Sequence, residues 1–308
     1  MGDRQEPVRV EPTPDARLAG VIAAVRATLH EDDLTLNRKK AEQQVPADDA
    51  WLALTGFTVE AVDVDGVAGE LITPPGDLEP GTLVALHGGG YVLCSAATHR
   101  RRFAQMGLAA RCRVLNVDYR LAPEHRFPAA LDDGLAALWW ALDRGPAVLV
   151  GDSAGGGLAL AVTLAHRDCG GRRPSGVVAI SPWADLTLAG ESHTSHRERD
   201  LFAHIDDLPT YASMYLGPTP PTHPLASPVF ADFDRMPPLL IQVGSEESLV
   251  DDARAVAERA AAAHVPVRLE EWSGMFHTWH AYAGTLHGAD EAIAVIGGWT
   301  RAWLDRSS

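Results

Sequence analysis

Cysteine is scarce in this sequence. Its 308 residues hold three, Cys94, Cys112 and Cys169, an odd number with no C-x-x-C pair. That count argues against a disulfide framework and fits free thiols in a reducing compartment. Basic residues are also few: 26 Lys and Arg stand against 41 Asp and Glu, giving a net charge of −15. Nucleic acid and anionic membrane would repel such a surface, so neither is expected as a partner. No apolar run approaches the roughly 18 residues of a membrane span. The opening MGDRQEPVRVEPTPDARLAG has no apolar core for export, and the expected location is cytoplasmic. Low-complexity tracts and internal repeats are absent too.

What remains is the composition of a globular protein, 46% apolar and 22% charged. A chain this long buries roughly three quarters of its unfolded surface and needs no staples. The first dozen residues are polar and Pro-rich and read as a loose tail. Leu18, Val21, Ile22, Val25 and Leu29 then follow the spacing of an amphipathic helix. Residues 31–50 are charged and fit a second short helix. Residues 1–50 are therefore expected to form a tail and cap helices, ahead of a main domain over 51–308.

Within FTVEAVDVDGVAGELITP, alternation broken at Asp65-Gly66 predicts a hairpin at a sheet edge. After it the rhythm becomes strand, loop, helix. Short apolar strands are expected at Leu83–Leu86, Val114–Val117, Val148–Val150, Val177–Ile180, Leu239–Val243 and Val267–Leu269, with helices such as Leu131–Leu142 and Leu158–His166 between them. That alternation means an α/β fold with a mostly parallel sheet covered on both faces. Between Ile180 and Leu239 the rhythm breaks for almost sixty residues rich in Pro and His. Long excursions of this kind usually carry a lid or binding loop, here a cap insertion at about 185–225.

The chemistry centres on Gly151-Asp152-Ser153-Ala154-Gly155, which follows the strand AVLV and precedes the helical GLALAVTLA. A serine hydroxyl is a useful nucleophile only when raised on a rigid support beside a base, and a sharp strand-to-helix turn raises it. The Ala154 amide, opening the next helix, points at the space above Ser153 and can bind an oxyanion. His87-Gly88-Gly89-Gly90 directly follows a strand, where Gly88, Gly89 and Gly90 can aim further amides at that oxyanion. These glycines match no nucleotide-binding motif. A histidine late in the chain is the expected base, and EEWSGMFHTWH supplies His277. The H-x-x-H pairs His277/His280 and His193/His196 lack the further ligands that zinc requires, so no metal and no cofactor is expected.

In this order HGGGY, YRLAPEHRFPAALDD (Tyr119–Asp133), GDSAGG and GMFH resemble the hormone-sensitive-lipase-like α/β-hydrolase carboxylesterases, over about Gly56 to the C-terminus. The resemblance implies an α/β-hydrolase fold, a Ser-acid-His triad, a helical cap and cofactor-free hydrolysis of short- to medium-chain esters. Taken on its own residues, Tyr119–Asp133 reads as structural, since Pro123 and Pro128 stiffen a loop. The acid is where this chain departs from the family, which has Asp-Pro-Leu-x-Asp there. Glu247-Ser248-Leu249-Val250-Asp251 keeps the Leu and second Asp and puts Glu in the acid's place. Ser248 with Asp251 also looks like a helix-capping pair, which leaves Glu247 on the loop. Glu247 is the expected acid, with Glu246 and Asp251 as alternatives.

The expected substrate is a small hydrophobic ester, and the residues named to bind it are Tyr91, Phe202, Ile205, Tyr211, Met214 and Tyr215. A lactonase, a deacetylase of a small natural product and a non-catalytic ligand receptor are the competing readings. The sequence leaves the oligomeric state open, with a homodimer among the options.

Overall fold

Runs of Val, Ile and Leu that are apolar on both faces must be covered on both faces, and the chain does this with one sheet. The computed structural model describes residues 6–26, 33–201 and 207–307. Within them the strands are β1 (Val8–Val10), β2 (Thr58–Val64), β3 (Val67–Thr73), β4 (Thr82–Leu86), β5 (Arg113–Val117), β6 (Ala147–Asp152), β7 (Gly176–Ile180), β8 (Leu239–Gly244) and β9 (Val267–Trp272). Their spatial order is β1-β9-β8-β7-β6-β4-β5-β3-β2. The β2–β3 hairpin turns at Asp65-Gly66 and closes one edge antiparallel, as does β3 against β5; the other pairs are parallel. The expected α/β-hydrolase architecture is therefore present, with all six inner strands where their apolar runs lie.

Helices cover the sheet in two layers. In chain order they are α1 (Leu18–Arg26), α2 (Leu34–Ala41), α3 (Val45–Leu54), α4 (Ala96–Ala110), α5 (Ala129–Leu142), α6 (Ala154–Asp168), α7 (Ser192–Ser195), α8 (Leu208–Leu216), α9 (Val250–Ala262) and α10 (His287–Asp305). Alternate residues of β4 feed opposite cores. Val84 and Leu86 pack with α5, α6, α8 and α9, whereas Leu83 and Ala85 pack with α4 and α10. Val25 of α1 and Leu52 of α3 join the second core.

Three local expectations are corrected. The supposed loose tail contains β1, which pairs in parallel with β9 from Val8↔Glu270 to Val10↔Trp272, so the chain's start seals a sheet edge. Its pairing partner lies far along the chain, and three half-exposed residues carry no alternation that could reveal it. The charged stretch after residue 30 holds two α-helices rather than one, and the second runs past residue 50 to Leu54. Ser248 and Asp251 do not cap α9. Leu249 occupies the cap position without a side-chain bond, and the Asp251 carboxylate accepts the Ser192 backbone N–H at 2.8 Å. Leu29 lies outside the described residues.

Arg38 on α2 ties the N-terminal helices to the main domain. Its guanidinium donates to the carbonyls of Val92 and Ala122, both at 2.8 Å, and forks onto Glu124 at 2.7 and 3.0 Å. Under that pairing the Glu124 carboxyl is pulled down to about 2.

Candidate active site

β6 ends in a turn that few residues tolerate. Ser153 adopts φ 55°, ψ −122°, and α6 begins at Ala154. A non-glycine residue held at positive φ is uncommon and persists only where its surroundings impose it. Here they do: the Ser153 N–H donates to Ile180 O at 2.8 Å. Its carbonyl accepts the N–H groups of Gly156, Gly157 and Trp183 at 3.0, 3.1 and 2.9 Å. The backbone, not the hydroxyl, holds the bend. Gly155 makes it possible, because a Cβ there would collide with the carbonyl oxygens of Leu86 and His87 at the end of β4. Gly155→Ala is accordingly expected to destabilise the fold by about 1–3 kcal/mol, read as a lower urea midpoint.

The glycine loop crosses directly over this bend. A Cβ built on Gly88 would stand 3.2 Å from the Ser153 Cβ. Gly89, at φ 112°, closes a tight turn in which its carbonyl accepts from Val92 and Leu93 N–H at 3.1 and 2.8 Å. The ring of Tyr211 sits against Gly90, where a Cβ would come within 2.6 Å of Tyr211 Cδ2. His87 is buried with its Nδ1–H donating to Gly88 O at 2.7 Å; burial first, then the nearby His99, pushes its pKa down to about 3, so it is neutral. The Tyr119–Asp133 segment braces the loop from beneath. Tyr119 Oη donates to His87 O at 2.6 Å and stacks on the imidazole at 4.1 Å, and the Ala122 N–H donates to Tyr91 O at 2.9 Å. The structural reading of that segment agrees with these contacts.

The histidine and its carboxylate meet at the ends of the next strands. His277, in the loop after β9, donates from Nδ1 to Glu247 Oε2 at 2.7 Å. Glu247 follows β8 and is fully buried. Its other oxygen accepts from Ser181 Oγ at 2.7 Å and from the Gly244 N–H at 2.6 Å, which fixes the plane of the carboxylate. His196 donates from Nδ1 to Glu247 O at 2.8 Å. Glu246 faces Ser245 Oγ and Arg199, and Asp251 faces Ser192 and Arg254, so of the three candidate acids Glu247 is the one at His277. Burial lowers the His277 pKa, but the hydrogen bond and charge of Glu247, helped by Asp200 and Asp152, outweigh it and leave the group above its ordinary value.

One dipeptide links the two halves. Ile180 O holds the Ser153 N–H, while adjacent Ser181 holds Glu247 through Oγ and accepts the Thr278 N–H at 3.4 Å. Ser153, Glu247 and His277 thus converge at the carboxyl ends of β6, β8 and β9. No hydrogen bond joins Ser153 Oγ to His277 Nε2 among the described residues; the bond that His277 makes is the one from Nδ1 to Glu247.

The other named residues divide. Tyr91 and Tyr215 are each 1% exposed and stack on one another at 3.8 Å, so the structure makes them core rather than pocket wall. Tyr211 and Met214 are half-buried on α8. Phe202 and Ile205 lie outside the described residues. The H-x-x-H pairs separate, with His193 turned to Asp252 at 3.2 Å and His280 to Gln242 Oε1 at 2.8 Å. Among the described residues no group of three or more His, Cys, Asp or Glu is placed to hold a metal ion, and no helix is long and apolar enough to cross a membrane. Sequence reasoning missed Ser181 and the Arg102–Asp152 ion pair; the buried charge inside the G-D-S-A-G turn was the signal for the second.

A strained serine at a strand-to-helix elbow, a glycine loop across it and a carboxylate-bound histidine define an α/β-hydrolase. Known proteins agree. The family model described as alpha/beta hydrolase fold matches residues 83–281. An acetyl-hydrolase of Streptomyces hygroscopicus is 45% identical over 253 residues, covering 76% of this chain and 85% of its own. A putative acetyl-hydrolase of Mycobacterium tuberculosis is 35% identical over 256 residues, 82% of this chain and 83% of its own. Among solved structures, an esterase from the bacterial hormone-sensitive lipase family superposes with a TM-score of 0.89 at 40% identity, covering 95% of this chain and 99% of that one. The esterase EstE5, in a crystal soaked with p-nitrophenyl butyrate, gives 0.88 at 37% identity, covering 95% and 100%. The chain belongs to the α/β-hydrolase family, among its hormone-sensitive-lipase-like esterases.

Proposed function

We propose that this protein is a serine carboxylesterase in which Ser153, His277 and Glu247 act as nucleophile, base and orienting acid. The observation that carries the reading is the 2.7 Å bond from His277 Nδ1 to a buried, doubly anchored Glu247, opposite a serine raised at positive φ. With Nδ1–H committed to Glu247, Nε2 presents a lone pair. It takes the proton of Ser153 Oγ as the oxygen adds to the ester carbonyl. Amides of Gly89, Gly90 and Ala154, with Gly88 beside them, stabilise the resulting oxyanion, each well-aimed donor being worth about 2.7–4 kcal/mol. Collapse expels the alcohol, which receives the proton from His277 Nε2, and leaves an acyl-serine. Water attacks that ester with His277 again as base, releasing the carboxylic acid and restoring the serine.

The acyl group is short. Tyr211 packed on Gly90 narrows the space beside the glycine loop, and two relatives carry the name acetyl-hydrolase. An acetylated small molecule is therefore the favoured donor, ahead of lactones. Helices α1–α3 and the described parts of the excursion after β7 form the cap on this site, with α2 tied to the main domain through Arg38. The free thiols Cys94, Cys112 and Cys169 suit the cytoplasm. Across p-nitrophenyl esters, kcat/KM is expected to peak between acetate and butyrate and to fall at least about tenfold by decanoate. A profile rising toward decanoate would overturn the short-chain assignment.

A further inference from the structure

Asp152, between Gly151 and the elbow serine, is a carboxylate only 2% exposed. A charge so placed needs a partner, and α4 supplies two. Arg102 Nη1 is ion-paired with Asp152 Oδ2, and His99 Nε2 lies 3.4 Å from the same oxygen. Asp152 Oδ1 and Arg102 Nε have no protein partner, so the tie runs through Oδ2 alone. That same oxygen faces Gly88 of the glycine loop closely enough that a Cβ there would stand 2.9 Å from it. The rings of His87 and His99 are 5.5 Å apart, which adds a second contact between loop and helix.

The connection matters because of chain order. The glycine loop is the segment that leads from β4 into α4, so its near end is fixed by the sheet. Its far end runs into α4, so the anchoring of α4 bears on its position alongside the braces from Tyr119, Ala122 and Arg38. The ion pair anchors α4 to the elbow itself, with Gly88 facing the anchor. Resting on the reading of Ser153 and the glycine loop given above, we propose that Arg102 and Asp152 are positioning residues. Their ion pair clamps α4 to the nucleophile elbow and sets where Gly88, Gly89 and Gly90 stand relative to Ser153.

Electrostatics support the clamp. Burial pushes the Asp152 pKa up, but Arg102 and His99 pull it further down, so the carboxylate is charged throughout the working range. A buried ion pair adds little net stability over apolar residues of similar volume. Its value here lies in direction: one oxygen, one guanidinium nitrogen and one glycine at fixed separation.

The test uses full-length Asp152→Asn, Arg102→Met, the doubly neutral Asp152→Asn/Arg102→Met and Arg102→Lys. Each is titrated with a fluorophosphonate, so that rates refer to reactive serine only. In the double variant, kcat per titrated site should fall about tenfold to a hundredfold, the effect of misplacing groups by about an ångström. Inhibition by a trifluoromethyl ketone, which forms an oxyanion in the same place, should weaken by the same factor while KM changes little. Arg102→Lys keeps the charge but loses the guanidinium reach, and should fall between the parent and the double variant in both measurements. Measured at a pH above the acid limb of every variant, so that loss of the Asp152 charge near His277 does not enter, a purely structural pair would lower the melting temperature and the titratable fraction without moving either quantity. Unchanged kcat per site and ketone affinity in any folded variant would therefore overturn the proposal. If the single variants fail to fold, the double variant decides; if it too fails, Arg102→Lys decides. Failure of the parent enzyme to react with the fluorophosphonate would instead sink the assignment of Ser153, a separate outcome.

Discussion

Ser153→Ala is expected to lower kcat on p-nitrophenyl acetate by about 10⁴-fold to 10⁶-fold, the range seen when one member of such a unit is removed. Folding should survive the change. The elbow is held by the backbone N–H and carbonyl of Ser153, through Ile180, Gly156, Gly157 and Trp183, and alanine keeps all four bonds. The melting temperature should accordingly stay near that of the parent. His277→Ala should lose a similar factor, and the two losses should not add, because the residues act together. A Ser153→Ala protein within tenfold of the parental rate would mean that another group is the nucleophile.

Glu247→Gln is expected to cost about 10⁴-fold, because an amide in that place favours the wrong imidazole tautomer. Glu246→Gln and Asp251→Asn should remain near the parental rate, since their carboxylates face Ser245, Arg199, Ser192 and Arg254 instead. The pH profile gives an independent reading. A protonated His277 cannot accept the Ser153 proton, so kcat/KM falls as pH drops through the His277 pKa. Against its burial, Glu247 leads the interactions that hold this pKa above the ordinary histidine value, which is about 6.5. The acid limb of the parent should therefore lie above that value. In Glu247→Gln the burial remains while the main opposing charge is gone, so the limb should move to lower pH. An unmoved limb would show that Glu247 does not govern His277.

The part of this molecule that could be read from sequence is the part built from local pattern. Inner strands announce themselves as short two-sided apolar runs, and the elbow and glycine loop as glycines around a polar residue. That Glu247 is the carboxylate that meets His277 could be anticipated from its register against the family motif. Whatever depends on distant pairing was not legible. β1 looks like a tail until β9 lies beside it. Ser248 and Asp251 have the spacing of a capping pair, but α7 packs there and claims the Asp251 carboxylate, so tertiary contact overrode local preference. Tyr91 and Tyr215 looked like pocket aromatics because nothing in the sequence says that they stack on each other. Asp152 gave the sharpest missed clue: a carboxylate inside an otherwise apolar, glycine-rich turn had to find a cation, and Arg102 was fifty residues away.

The most direct test is intact-mass and peptide analysis after exposure to a fluorophosphonate. The account predicts one adduct per chain, carried by the peptide that contains Ser153 and lost in both Ser153→Ala and His277→Ala. Ester hydrolysis that persists with Ser153 unlabelled, or an adduct on a different residue, would contradict it.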